Sequence, residues 1–204
     1  VPPYAGPPVA SRQGDASSPL RLLAYLALAI VLIVLDDQAG WLARLRADRL
    51  NGRAAIRQGL DWLLANAAGD ALPLVQFHDA GDEGLGPHVL APLPADQARA
   101  ALRRLLQLRS EGLRAPLLYG PSTGWALYTA AEAKRATEGY AKWHGSERSW
   151  AESSGASYQL ALRGRDPFAT ADSYRQLLHT SFVVFTAVRE GRVFPGFDEE
   201  GAAQ

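Results

Sequence analysis

Leu22–Leu35, LLAYLALAIVLIVL, is an uninterrupted apolar run that stops abruptly at Asp36-Asp37. Such a run must be buried, either in a bilayer or in a protein core. A spanning helix needs about 20 apolar residues, and this run is too short. No small-residue cleavage site follows it, as a signal peptide would require. Its composition changes midway from Leu/Ala to Ile/Val. That change reads as the end of a helix passing into a core β-strand at Ile30–Leu35, so no membrane insertion is expected.

The chain on either side supports a mixed α/β reading. Val1–Pro19 is rich in Pro, Gly and Ser and is expected to be an extended connector, with a domain over 20–195 and a polar tail over 196–204. Gly40–Leu45 reads as a second strand after an Asp-Asp-Gln-Ala turn. From Ala54 the period becomes helical: Ile56, Gly59, Leu60, Leu63 and Ala67 share one face, Arg57 and Asp61 are spaced to pair, and Gly69 is a natural stop. Leu72–His78 alternates like a strand, Asp79–Gly86 is an acidic Gly-rich turn, and a partner strand falls around His88–Ala91. Pro94 opens a helix running to about Arg109, with Ala98, Ala101, Leu102 and Leu105 inward. Ala115–Tyr119 reads as a short strand, Gly124–Trp143 as one helix, and Ala171–Glu190 as a last long helix. No internal repeat is present.

Composition excludes several function classes. Lys plus Arg and Asp plus Glu number 21 each, so no net charge steers the chain toward nucleic acid or an acidic surface. Cysteine is absent, which removes disulfides and thiolate metal sites and suits a reducing cytoplasm. Methionine is absent too. That reads either as an internal piece of a longer protein or as methionines left unwritten, in which case local spacings shift by a residue. There is no phosphate-binding Gly-rich loop ending in Lys-Ser or Lys-Thr, so nucleotide hydrolysis is not expected of this chain.

Several segments, in order, resemble the C-terminal domain of RecC, the gamma chain of exodeoxyribonuclease V. The fullest is Ala115–Gly145, APLLYGPSTGWALYTAAEAKRATEGYAKWHG, which is similar to that family's Ala-Pro-Leu strand, Pro-Ser turn and Trp-containing helix. Ala151–Phe168, AESSGASYQLALRGRDPF, looks like its acidic loop, Tyr and short helix ending in an Arg-rich bend. Gly40–Leu50, Arg57–Gly69 and the Pro-rich Val1–Gly6 are similar to its earlier landmarks.

The resemblance implies a restriction-endonuclease-like PD-(D/E)xK fold, a mixed central sheet flanked by helices, in a catalytically degenerate form. Active members hold a divalent metal between carboxylates on neighbouring strands, with a Lys beside the nucleophile. Here the first acid's position matches Ala43, and the triplet falls near Leu50–Arg53, where Asn51 and Arg53 stand and no carboxylate or Lys is found. The resemblance therefore implies no catalytic residues, no metal and no cofactor. It implies a scaffold within a helicase–nuclease acting in double-strand-break repair, with RecB-like and RecD-like subunits and duplex ends or forked DNA as partners. Arg44, Arg46, Arg99 and Arg103 are its candidate DNA contacts. Trp125, Tyr128, Tyr140 and Trp143 are its candidate partner-binding aromatics.

Each of these has a plainer reading. Basic residues at such spacing are commonly solvated faces, a description that also fits Arg163, Arg165 and Arg175, and aromatics at helical spacing are commonly core. Asp36, Asp37 and Asp48 could supply an active metal-dependent nuclease, but acids closing a turn are commoner than ligands. His78-Asp79, Asp82-Glu83 and His88 mix metal-capable side chains in a Gly-rich hairpin tip, where a solvated turn is favoured. Ser122, His144 and Asp166 make a hydrolase trio only on paper, without a nucleophile elbow. A protein-binding module unrelated to DNA remains the other reading of the aromatics.

Overall fold

A computed structural model describes residues 40–79, 86–146 and 149–197. Ile30–Leu35, the acids Asp36 and Asp37, the connector, Asp82-Glu83 and most of the tail lie outside the described residues. The described part begins with strand β1 (Leu42–Arg49), helix α1 (Gly52–Ala68) and strand β2 (Leu74–Asp79). Strand β3 (His88–Leu90) and helix α2 (Ala95–Arg114) follow. Then come α3 (Pro121–Thr129), α4 (Glu132–His144), a single 3-10 turn, α5 (Ala156–Leu162) and α6 (Ala171–Glu190).

The sheet is small and mixed. β1 and β2 run parallel, with Leu42 opposite Leu74 and Arg44 opposite Gln76, and α1 makes the crossover between them. β3 returns antiparallel on the other side of β2, with His88 opposite Gln76 and Leu90 opposite Leu74. Parallel neighbours need such a crossover, whereas β2 and β3 need only a turn.

Local chemistry sets the ends of α1. The Asn51 side chain accepts the Ala54 N–H at 3.0 Å, filling one of the free donors of the first turn. At the other end Gly69 adopts φ 109°, a left-handed conformation that lets its N–H reach back to the Ala65 and Asn66 carbonyls. Between them Ala55, Trp62 and Leu63 are buried against Leu74, Ala98, Ala101, Phe185 and Val188. Full burial of a side chain such as Leu63 is worth about 1.5–3 kcal/mol, so this one face accounts for α1's position.

Helix α6 is the centre of the core. Its C-terminal half, Val183–Val188, is buried on all sides, as a helix enclosed by neighbours must be. α1 crosses it at Gly59, where a side-chain carbon would meet the Val188 carbonyl oxygen at 2.1 Å. Thr170 caps its start by accepting the Ser173 N–H, and Gly191 ends it at φ 64°.

Two expectations fail. Ala115–Tyr119 forms no strand: Ala115 and Pro116 are exposed, and the Tyr119 N–H closes a tight turn onto the Leu117 carbonyl at 2.9 Å. Pro116 cannot donate to a ladder, and Leu117 and Tyr119 pack into the helical core instead. The single helix over Gly124–Trp143 is two, α3 and α4, parted by Ala130 and Ala131 in extended conformations. The break folds α4 back on α3 so tightly that a side-chain carbon on Gly139 would lie 2.5 Å from Leu127. One expected pairing also changes partner. Asp61 meets Arg44 on β1, at 2.7 Å, rather than Arg57 one turn away.

Among the described residues no helix is long and apolar enough to cross a membrane.

Candidate functional site

Alternation along β2 sends Leu74, Gln76 and His78 to the face covered by α1. With the register above, this face carries an apolar row, Leu42, Leu74 and Leu90, followed by a polar row, Arg44, Gln76 and His88. Gln76 at its centre is buried, at 1% exposed, as is His78 further along β2, at 7%, while Arg44 and His88 at the edges are half-buried. Gln76 donates to the Gln58 side-chain carbonyl on α1, and its own carbonyl accepts from the Arg189 guanidinium on α6 at 2.5 Å. One amide thus ties the sheet to both helices. Burial holds the Arg189 pKa below its ordinary value.

His78 and His88 stack with ring centroids 4.4 Å apart. Neither His78 ring nitrogen, nor Nε2 of His88, nor Nε of Arg46 has a full hydrogen bond among the described residues. Burial lowers the His78 pKa, and the positive charges of His88, Arg189 and Arg46 add to this, while the Asp79 backbone opposes it. His78 is therefore held neutral in the fold. Its pKa is lower folded than unfolded, so the unfolded chain takes up the proton first as pH falls below about 6.5. Stability is expected to be full above that value and to decline on acidification. His179, whose pKa burial also lowers, acts in the same direction. The urea midpoint followed from about pH 7.5 down to about 5.5 should drop, and drop less in His78→Phe. An equal drop in both would remove His78 as the cause.

This layer offers donors rather than ligands. Ala43 lies on the opposite face of β1, exposed, with Val75 as its register partner. Leu50–Arg53 form the junction from β1 into α1, where Asn51 serves as the cap, and no strand runs there. Asp48 accepts two bonds from Arg46, at 2.7 and 2.9 Å. Among the described residues no three His, Cys, Asp or Glu side chains converge as a metal site would need. The positive charges of Arg46 and Arg189 beside the neutral His78 repel a divalent cation.

The other singled-out residues do not assemble into one site. Arg99 donates through Nε to the Ala67 carbonyl at 2.9 Å, closing the C-terminal end of α1. Arg103 is exposed on α2 without an ion-pair partner among the described residues. Arg163 and Arg165 line a shallow groove with Trp143, His144 and Tyr158, while Arg175 pairs with Asp172 at 3.3 Å. His144 meets Asp166 at 3.2 Å, but the Ser122 N–H is held by Glu152, which also accepts the Thr123 N–H at 2.7 Å. No hydrogen bond joins Ser122 to His144.

The aromatics separate likewise. Trp143 is buried against Tyr158, and Trp125 packs edge-on to Phe185 at 5.2 Å. Tyr128 donates its hydroxyl to Glu190 at 2.5 Å, and burial together with this bond raises its pKa. Only Tyr140 is substantially open, at 52%. Exposed apolar groups that sequence reading passed over include Trp150, Leu160, Leu113, Leu106, Leu64 and Val89. Leucines recurring in a helix are normally assigned to its buried side, and nothing local marks these as outward.

The family described as the RecC C-terminal domain matches residues 15–132, more than half of the chain. This chain belongs to the RecC C-terminal domain family. No individual curated protein matches it significantly. Within the matched span of this RecC domain lie β1 to β3, α1 to α3 and the polar layer of Gln58 and Gln76. Arg189, the layer's cation, and the rest of α6 lie outside it.

Proposed function

We propose that this domain is a catalytically silent, nuclease-like scaffold in a RecBCD-type helicase–nuclease, exodeoxyribonuclease V, acting in double-strand-break repair. The observation that carries the reading is membership of the RecC family. The β1–α1–β2 crossover followed by an antiparallel β3 gives the mixed sheet that a restriction-endonuclease-like fold requires. Its polar row holds Arg, Gln and His where metal chemistry needs acids. RecB-like and RecD-like subunits are the proposed partners, and duplex ends and forked DNA the substrate of the assembly.

For DNA contact Arg44 and Arg46 are the proposed residues. Both sit in solvent-accessible ion pairs, with Asp61 and Asp48, and exposed pairs of this kind are worth only about 0–1 kcal/mol. Exchanging such a carboxylate for a phosphate is cheap. Two contacts on a neutral chain give weak, salt-sensitive binding.

The test is a nuclease assay on linear and forked duplex DNA with magnesium or manganese, with fork binding recorded across a salt series. The expected result is no cleavage and fork binding that weakens with salt and in Arg44→Ala/Arg46→Ala. Cleavage that disappears in Asp37→Ala would overturn the silent-domain reading. Failure to co-purify with co-expressed RecB-like and RecD-like subunits would remove the complex.

A further inference from the structure

Helix α2 has two seams. Ala98, Ala101 and Leu108 are buried, and Leu102 and Leu105 pack beside them. On the outside Arg99, Arg103, Leu106, Ser110 and Leu113 follow one another at alternating steps of four and three residues. That spacing keeps the row on one side of a helix, and it is the spacing with which a second helix packs alongside. Leu106 is 59% and Leu113 70% exposed, so nothing among the described residues covers the row. Beside it a groove of about 400 Å³ is lined by Arg103, Leu106, Gln107, Ser110, Glu111 and Arg114.

The charges around this row indicate its occupant. Arg99, Arg103, Arg109 and Arg114 are all exposed on α2. Glu111 already faces Arg104 at 3.4 Å, and the other acid, Asp96, lies in the first turn. Ser110 bonds back to the Leu106 carbonyl, leaving a low, satisfied floor between the leucines. Phosphates would meet the arginines but gain nothing from two open leucines. A second copy of this face would set arginine against arginine. An acidic helix with an apolar stripe satisfies both features at once.

We propose that the outer seam of α2, with Leu106 and Leu113 set among Arg99, Arg103 and Arg114, docks an acidic amphipathic helix of a partner protein. This deepens the docking part of the function proposed above, but it does not depend on which complex the domain joins. It also gives Arg99 and Arg103 to a protein contact rather than to DNA.

The probe is a fluorescent synthetic helix with Leu at three- and four-residue spacing flanked by Glu, alongside its Lys-flanked counterpart, titrated with the full chain. The Glu helix is expected to bind and the Lys helix not. Leu106→Ser/Leu113→Ser should weaken binding about tenfold or more, as loss of central apolar anchors does. Arg103→Glu should weaken it and flatten its salt dependence. Both variants change exposed side chains, and unchanged circular dichroism and melting temperature would establish that they fold. Absence of Glu-helix binding, or binding indifferent to the leucines, would overturn the proposal. So would displacement of the probe by single-stranded DNA in the leucine variant as readily as in wild type. Sedimentation showing leucine-dependent self-association would assign the seam to a second copy instead. Failure of the subunit co-purification with probe binding intact would reject the complex and leave the seam standing.

Discussion

Gly59→Ala is expected to destabilise this domain by about 3 kcal/mol, although alanine is the better helix former by about 0.5–1 kcal/mol. Two opposed effects meet at this residue. Propensity favours alanine because glycine loses more backbone freedom on folding. Against it, the added carbon would sit 2.1 Å from the Val188 carbonyl oxygen and 2.6 Å from its Cβ. These are main-chain and β-branched atoms of a helix enclosed on all sides, so no flexible side chain can swing away. Overpacking a core normally costs about 1–3 kcal/mol, and an immovable obstacle places this case at the upper end. Gly69 supplies the comparison. A side-chain carbon there meets nothing within 4 Å, but φ is 109°, so Gly69→Ala should cost only about 1 kcal/mol from backbone strain. Urea midpoints at unchanged slope would check both values. A Gly59→Ala protein as stable as wild type would mean that α1 and α6 do not approach this closely.

The residues that were legible in sequence are those whose structure is decided locally. α6 runs over Ala171–Glu190, the span read from its pattern, and the structure adds a Thr170 cap and a Gly191 stop that agree with it. α1 starts two residues before Ala54, since the Asn51 side chain caps there, a signal present in the sequence but weaker than the apolar period. The Ala130-Ala131 break was not legible, because alanine is the strongest helix former and only packing of Gly139 on Leu127 makes the turn favourable. The polar layer was hidden for a different reason. Gln58, Gln76 and Arg189 are far apart in sequence, and only the parallel register of β1 and β2 under two helices brings them together. The Arg44–Asp61 pair is of the same kind, a contact across the crossover that no spacing rule within one helix could anticipate.

Family membership and the layer bear on each other. An active nuclease of the fold proposed above would keep acids near the strand ends to hold a metal. In this chain the sheet face under α1 carries instead a neutral amide joined to the half-buried Arg189, beside two stacked histidines. Such a layer positions α1 and α6 against the sheet and offers no site for a cation. Its role is therefore structural specificity, a role best examined by removing its central member.

Gln76→Leu is expected to lower stability by about 2–4 kcal/mol, although leucine is the more apolar residue and the site is 1% exposed. The hydrophobic gain is outweighed because the change leaves the Arg189 guanidinium without its buried acceptor and the Gln58 carbonyl without its donor. Unpaired buried groups of this kind carry their desolvation cost in full. Arg189→Met in the Gln76→Leu background should then recover a large part of the loss. Double-mutant analysis of urea unfolding should give a coupling of about 1–2 kcal/mol between the two positions. Removing Arg189 also withdraws one of the charges that hold His78 deprotonated, so the doubly substituted protein should be less acid-labile than wild type. Additive losses and an unchanged acid response would mean that Gln76 and Arg189 act separately. A coupled rescue with a milder pH profile would establish the layer as one electrostatic unit, set by the cation on α6 and read out by the histidine on β2.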